Sequence, residues 1–368
     1  MRVRFKRFAI TTARKLARIR FHRHHAIQAS AALESIEKRR GKTDPALIRQ
    51  ADTYARDVFG SVAYAPWLRV YAAFNGRFKE GWIPDNYYGA VVVPRTKGWY
   101  GELSKLKSIS AQLFRDPALP DLAYLANGAL FSSGNAAIPD DEVRDILFSE
   151  TDRVVYKPDH SSQGKGILFL DRDSFEHATV RKLGNGVFQR FVRQHEVFEG
   201  FAPGAVATVR LTTVVERSGE ISLRSCFLRL GRVGDTHITP AREVCVPVEV
   251  STGELAQHGY LNDWIDVQGH PDSNLPFDGI KVPAFAACVM KVKQLHRQVP
   301  FACCVGWDLA IDADESVNVL EWNAGHNDIK FAEATQGPCF SDLGWQHLLS
   351  REHVAMPLSL ARVAGNPR

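Results

Sequence analysis

Two runs rich in β-branched and aromatic residues, 305–311 and 317–322, are separated by a short polar stretch that begins Asp312-Ala313-Asp314-Glu315. So short a link joins antiparallel strands, since a parallel partner needs a crossover of about a dozen residues or more. The preceding sequence agrees. Short strand patterns recur at 154–156, 167–170, 187–192, 206–215 and 222–230, and helical spacing appears at 25–60, 103–115, 140–148 and 284–298. Asp44-Pro45 supplies a helix cap and first turn. Residues 76–101, rich in Gly, Pro and aromatics, read as loops and short strands, and 233–283 reads as loop-rich. The expected class is α+β with mixed or antiparallel sheets, not alternating strands and helices.

Charge is distributed unevenly. Residues 1–50 carry 14 Lys/Arg against 3 Asp/Glu, whereas the remainder carries 32 against 38, and no acidic residue precedes Glu34. In residues 1–28, Arg2, Arg4, Lys6, Arg7, Arg14, Lys15, Arg18, Arg20 and Arg23 interleave with Val3, Phe5, Phe8, Ile10, Leu16, Ile19 and Phe21. A helix of this kind suits an anionic membrane surface or anionic partner, or it packs an apolar side on the body. No nucleic-acid reader accompanies the charge, so no nucleic-acid partner is expected. No apolar stretch approaches the roughly 20 residues of a membrane-spanning helix, and no apolar signal region follows the basic start. The expected location is cytoplasmic, with peripheral association at the inner membrane surface as the variant. Six cysteines without a C-x-x-C pair read as reduced core residues.

The chemistry-bearing residues concentrate in the late strand pair. Asp308 and Glu321 stand 13 apart across the polar turn, a spacing that brings both carboxylates to one end of a hairpin. Glu321 and Asn323, two apart, share a strand face. Three oxygen donors without Cys or His suit a hard cation, above all Mg²⁺ shared with nucleotide phosphates. Asp312, Asp314 and Glu315 read as solvated turn acids. Upstream, Lys157 closes a strand and leads into Ser162-Gln163-Gly164-Lys165-Gly166, a small glycine-containing turn suited to phosphate oxygens. It is not a Walker A loop, because no G-x-x-x-x-G-K-[ST] occurs. Arg210 lies within a Val/Thr strand, where burial is unfavourable unless an anion pairs with it.

Taken in order, these elements resemble the ATP-grasp superfamily, and within it the branch associated with sugar transfer and surface-polysaccharide neighbourhoods. The resemblance implies two α+β lobes clamping Mg-ATP, here with a basic helical N-terminal extension. It implies Lys107, within Lys107-Ser-Ile-Ser-Ala-Gln-Leu-Phe114, as the first nucleotide-contacting lysine, although Leu106 stands where the family usually has aspartate. Lys157 matches the second lysine, and Ser162, Gly164, Lys165 and Gly166 match the flap over the triphosphate. Gln189, Arg190, Phe191 and Val192 resemble the adenine-reading hinge, and Glu196 matches the ribose carboxylate. Arg210 matches an arginine aimed at the reacting phosphate or substrate, and Asp308, Glu321 and Asn323 match the metal set. His326 and Asn327 are expected as substrate contacts, and His270-Pro271-Asp272 fits a branch loop. The stretch Thr239-Pro240-Ala241-Arg242-Glu243 departs from the branch's Asp-Asn and paired-glycine segment, so substrate identity does not carry across.

The implied division is a basic extension 1–45, an N-terminal α/β region 46–145, a flap-bearing small lobe 146–192, a metal-bearing lobe 193–340 and a tail 341–368. The implied cofactors are ATP and about two Mg²⁺ ions, with Mn²⁺ as a substitute. The expected activity is ATP-dependent ligation of a small-molecule carboxylate to an amine through an acyl phosphate, on glycan-linked or amino-acid-like substrates. Lys157 and Arg210 are its expected catalytic residues. A kinase acting on a hydroxyl would use the same nucleotide residues. A non-catalytic nucleotide-binding scaffold would not need both lysines and the metal set.

Overall fold

The computed structural model describes residues 2–180 and 182–349, with side chains from Lys15 onward. Two compact units divide the chain, one comprising 1–99, 263–265 and 326 onward, the other 100–262 and 266–325. The segments expected from sequence cut it instead at 45, 145, 192 and 340. Most of the expected tail 341–368 lies outside the described residues; 341–349 belong to the first unit.

The first unit is helical. Helix α1 (Arg2–Arg40) stops at Gly41, whose φ of +84° suits a residue without a Cβ. Asp44 then opens α2 (Pro45–Phe59), its Oδ1 accepting from the Ala46 N–H at 2.7 Å, as the sequence suggested. Helix α3 (Ala65–Asn75) is buried along most of its length. Trp67, Tyr71, Trp82 and Tyr87 are fully buried in this unit. Residues 85–96, expected as loops and short strands, form consecutive helical turns: Asp85–Tyr87, the π-type turn Tyr88–Val92, and Val93–Thr96. Pro84 and Pro94 fall where these turns start, and there a missing N–H is harmless.

The second unit contains two antiparallel sheets. In the smaller, β1 (Asp121–Ala126), β2 (Ala129–Ser132), β3 (Arg153–Pro158), β4 (Leu168–Asp171) and β5 (Gly186–Arg190) take the order β2-β1-β5-β3-β4. The larger is built from β6 (Thr208–Val215), β7 (Ile221–Leu230), β8 (Val244–Pro247), β9 (Gly259–Leu261), β10 (Asp266–Val267), β11 (Cys304–Ile311) and β12 (Val317–Asn323). Its order is β10-β9-β8-β7-β6-β11-β12. Strands β8 to β10 arise from the stretch expected to be loop-rich. Helix Phe285–His296 buries Cys288, Val292 and Leu295 against this sheet, in a core that includes Trp307 and Trp322. Those two tryptophans are cross-strand partners with ring centroids 6.5 Å apart. The six cysteines are free thiols. In the β11–β12 turn, Asp312 Oδ1 accepts from the Asp314 and Ser316 N–H groups, so its carboxylate shapes the turn.

Candidate active site

Strand β11 lies between β12 and β6, and Asp308 is paired on both sides. Its cross-strand partners are Glu321 on β12 and Arg210 on β6. The Arg210 guanidinium forks onto Asp308, with Nε donating to Oδ1 and Nη2 to Oδ2, the latter at 2.7 Å. Asn323 Nδ2 donates to Oδ2 at 3.3 Å. Arg229 on β7 brings Nη1 to 3.9 Å from Asp308 Oδ2 while its Nη2 sits 2.7 Å from Glu243. Burial pushes the Asp308 carboxyl up, but Arg210, Arg229 and Lys157 outweigh that and hold it below the usual range. For Arg229, burial opposes the charge and the Glu243 and Asp308 carboxylates override it, raising its pKa.

The β11–β12 ladder has a bulge. Asp308 pairs with Glu321 and Leu309 with Val319, so Leu320 is skipped. Its carbonyl accepts from Lys157 Nζ at 3.4 Å and from Gln189 Nε2 at 3.3 Å. Strand β12 is thereby tied to the smaller sheet, and a cleft opens there lined by Lys107, Phe114, Val187, Gln189, Leu320 and Trp322.

Lys107, buried, reaches Glu321 Oε1 at 3.1 Å and donates to the Ser161 carbonyl at 2.9 Å. Its segment is latched to the end of β3: the Ser108 N–H and Oγ donate to the two Asp159 carboxylate oxygens at 2.9 and 2.7 Å. Burial lowers the Lys157 pKa, and Glu321 and Asp121 partly oppose this. Gln189 Nε2 also donates to Asp121 Oδ1 at 2.7 Å, while Gln189 Oε1 and Asp121 Oδ2 are buried without a partner among the described residues. Asp121 accepts only, so it turns the Gln189 amide nitrogen toward itself and leaves Oε1 as the open acceptor. Burial pushes the Asp121 carboxyl up to about 6.

The turn between β3 and β4 holds Ser162, Gly164, Lys165 and Gly166, with φ of +76° at Gly164 and +75° at Gly166. A Cβ at Gly164 would stand 2.6 Å from the His237 ring, so only glycine permits this approach to the 231–243 loop. In the expected hinge, the Arg190 and Phe191 N–H groups bond to the Pro120 and Arg153 carbonyls. The Val192 N–H has no such bond among the described residues. Glu196 is exposed at the start of helix Glu196–Phe201.

His326 and Asn327, expected as substrate contacts, are engaged within the helical unit. His326 Nε2 lies 3.4 Å from Asp85 Oδ1, and Asn327 Oδ1 accepts from Lys97 Nζ at 3.0 Å. Both follow Asn323 closely in sequence, and they fall in the other compact unit of the chain. His25, Asp85 and His326 bring candidate ligand atoms within 4.8 Å of one another. The Trp67 indole N–H donates to His25 Nδ1 at 3.0 Å, occupying the lone pair a metal would need there. Burial holds the His25 pKa down at about 3 and keeps the ring neutral. This cluster is a hydrogen-bonded knot.

The donors around Asp308 do fit a hard cation. All three candidates offer oxygen, and the two carboxylates are held by Lys107 and Arg210, cations that phosphate oxygens would attract. Arg229, Glu243, Asp121 and the Ser108–Asp159 latch are site features that motif reading missed. An arginine inside the 222–230 strand pattern was the available signal for Arg229; the others meet only in three dimensions.

The sugar-transfer associated ATP-grasp family model matches residues 177–342, spanning Gln189, Glu196, Arg210, Asp308, Glu321 and Asn323. Over this span, a little under half of its length, the chain resembles the ATP-grasp superfamily. Lys107, Lys157 and the flap precede the matched span. No curated protein matches the chain. Among solved structures, the ATP-grasp ligase PsnB, in a complex with a precursor variant, Mg and ADP, is 14% identical, covering 69% of this chain and 61% of its own at a TM-score of 0.38. D-alanyl-alanine synthetase A from Vibrio cholerae is 12% identical, covering 68% and 66% at 0.40. The ADP complex of purK, an N5-carboxyaminoimidazole ribonucleotide synthetase, is 12% identical, covering 64% and 52% at 0.37. The chain thus spans about half to two thirds of their lengths, and likenesses this distant transfer no activity.

Proposed function

We propose that the protein is an ATP-dependent carboxylate–amine ligase. The observation that carries this reading is the charge arrangement at the cleft: Asp308 and Glu321 opposed on adjacent strands, with Lys107, Lys157, Arg210 and Arg229 around them. Phosphoryl transfer needs alignment and charge neutralisation more than covalent help, and this arrangement supplies both by exchange. When Mg-ATP enters, the lysines and arginines turn from carboxylates to phosphate oxygens. Asp308, Glu321 and Asn323 would hold Mg²⁺, or Mn²⁺ in its place, which neutralises the triphosphate.

Gln189 Oε1 and the Val192 N–H supply an acceptor and a donor for the adenine edge, and Glu196 is assigned to the ribose. Lys107 and Lys157 orient the phosphates, and the Ser162–Gly166 flap covers them and excludes water. A carboxylate oxygen of the substrate attacks the γ-phosphorus and ADP leaves, giving an acyl phosphate. An amine then attacks the acyl carbon, inorganic phosphate leaves, and the nitrogen loses a proton. Arg210 offsets charge on the transferring phosphoryl group. The sugar-transfer label of the matching family favours a glycan-linked substrate.

The test is incubation of the protein with Mg-ATP and a bacterial small-molecule extract, with hydroxylamine as a trap, beside Glu321→Ala. The ligase reading expects a hydroxamate with the trap and a two-metabolite condensation product without it, both lost in the variant. A metabolite that gains only phosphate would instead establish a kinase. Undiminished turnover by Glu321→Ala would remove the metal assignment.

A further inference from the structure

Helix α1 uses one of its two sides within the fold. Its inward stripe is His25, Ala29, Ala32 and Ile36, all buried, and two turns back Arg18 reaches the Tyr64 hydroxyl at 3.3 Å. The opposite side carries Leu16, Ile19 and Ile27, which are 53%, 54% and 60% exposed. Arg20 and Arg23, also exposed, stand between them at the same three-to-four spacing. The chain up to Glu34 contains nine Lys/Arg and no carboxylate side chain to compensate them.

We propose that this outward face of α1 docks the protein on an anionic lipid bilayer, lying in the interface with Leu16, Ile19 and Ile27 among the acyl boundary and the arginines at the headgroups. Only that partner uses both halves of the surface. A nucleic acid would engage the cations and leave the aliphatic side chains in water. A second copy of the helix would set Arg20 and Arg23 against like charge, and a neutral bilayer would leave the cations without counter-charge. Among the described residues no helix is long and apolar enough to span a membrane, so the helix lies on the surface. Long cationic side chains suit that depth, because their aliphatic stems stay with the apolar residues while the charges reach water.

The experiment is co-sedimentation of the full-length protein with vesicles of phosphatidylcholine alone or mixed with phosphatidylglycerol. Binding should require phosphatidylglycerol and weaken with added salt. Arg20→Gln/Arg23→Gln should lower partitioning by about fivefold per charge removed. Ile19→Ser/Ile27→Ser should abolish most of the remainder. These positions are exposed, so an unchanged thermal midpoint verifies that both variants are folded. Equal binding to the two vesicle types would overturn the proposal. So would vesicle binding indifferent to Ile19→Ser/Ile27→Ser, or a concentration-dependent dimer that this variant dissolves. Binding to a single-stranded DNA oligomer that outcompetes the vesicles would overturn it as well.

Discussion

The sheet-bearing unit and the helical unit both bury acidic side chains, and they stabilise them by opposite means. Around Asp308 the carboxylate meets guanidinium groups, and its pKa is held low. In the helical unit, Glu333 is fully buried, accepting from the Ile83 and Cys339 N–H groups at 2.9 and 2.8 Å. Burial pushes its carboxyl up to about 8. Asp85 is likewise raised by burial. The first arrangement keeps charge in place and lets partners be exchanged; the second suppresses charge and fastens segments together. A ligand that brings its own anions and cations can enter the first kind of site, whereas it has nothing to replace in the second.

Arg210→Ala tests the exchangeable side and should have the largest effect. Asp308 would stay buried with only Asn323 at 3.3 Å and the more distant Arg229 at 3.9 Å, lowering stability by about 3 kcal/mol in chemical denaturation. Arg210→Met with Asp308→Leu should restore most of that stability and none of the turnover. Recovery of activity in the double variant would break the distinction between the two regions.

Glu333 tests the suppressed side through pH. Its ordinary value is 4.5 and the folded value about 8, so the unfolded chain sheds the proton first as pH rises. Stability contributed by the protonated form is therefore lost between those values. Glu333→Gln should flatten that part of the profile in thermal melts recorded from acid to mildly alkaline pH. An unchanged slope would mean the carboxylate is charged in the fold.

Ser108→Ala removes both an Oγ donor and part of the latch that seats Lys107. A loss of about 1.5 kcal/mol in stability is expected, with a raised KM for ATP and little change in kcat. The smallest effect belongs to Asp121→Asn. The asparagine can donate as well as accept, so only the longer bond to the Leu320 carbonyl still fixes the Gln189 amide, and the preference for ATP over GTP should fall about fivefold. Competitive nucleotide kinetics would read this, and an unaltered ratio would show that Gln189 is oriented without Asp121.

Much of the sheet-bearing unit was legible in sequence because its signals are local. A five-residue polar turn at 312–316 sets Asp308 opposite Glu321, and the Ser/Gly run after Lys157 announces a tight turn. What stayed hidden depends on distant encounters. Ser108 and Asp159 are 51 residues apart, and Gln189 and Asp121 are 68 apart, with no periodic pattern linking either pair. The helical turns at 85–96 were hidden for another reason: Pro and Gly punctuate loops and helix starts alike. The internal partners of His326 and Asn327 were equally illegible, since Asp85 and Lys97 lie more than 200 residues away in sequence.

The bulge at Leu320 has a consequence of a different kind. Deleting one residue from β12 would give a better sheet, with every rung filled, and it would withdraw the carbonyl that Lys157 and Gln189 both grip. One surplus residue thus acts as a shared address, telling two side chains from another sheet where to stand. Homologues that repair the irregularity should have lost the reaction even where a leucine is kept, because the message is written in the backbone.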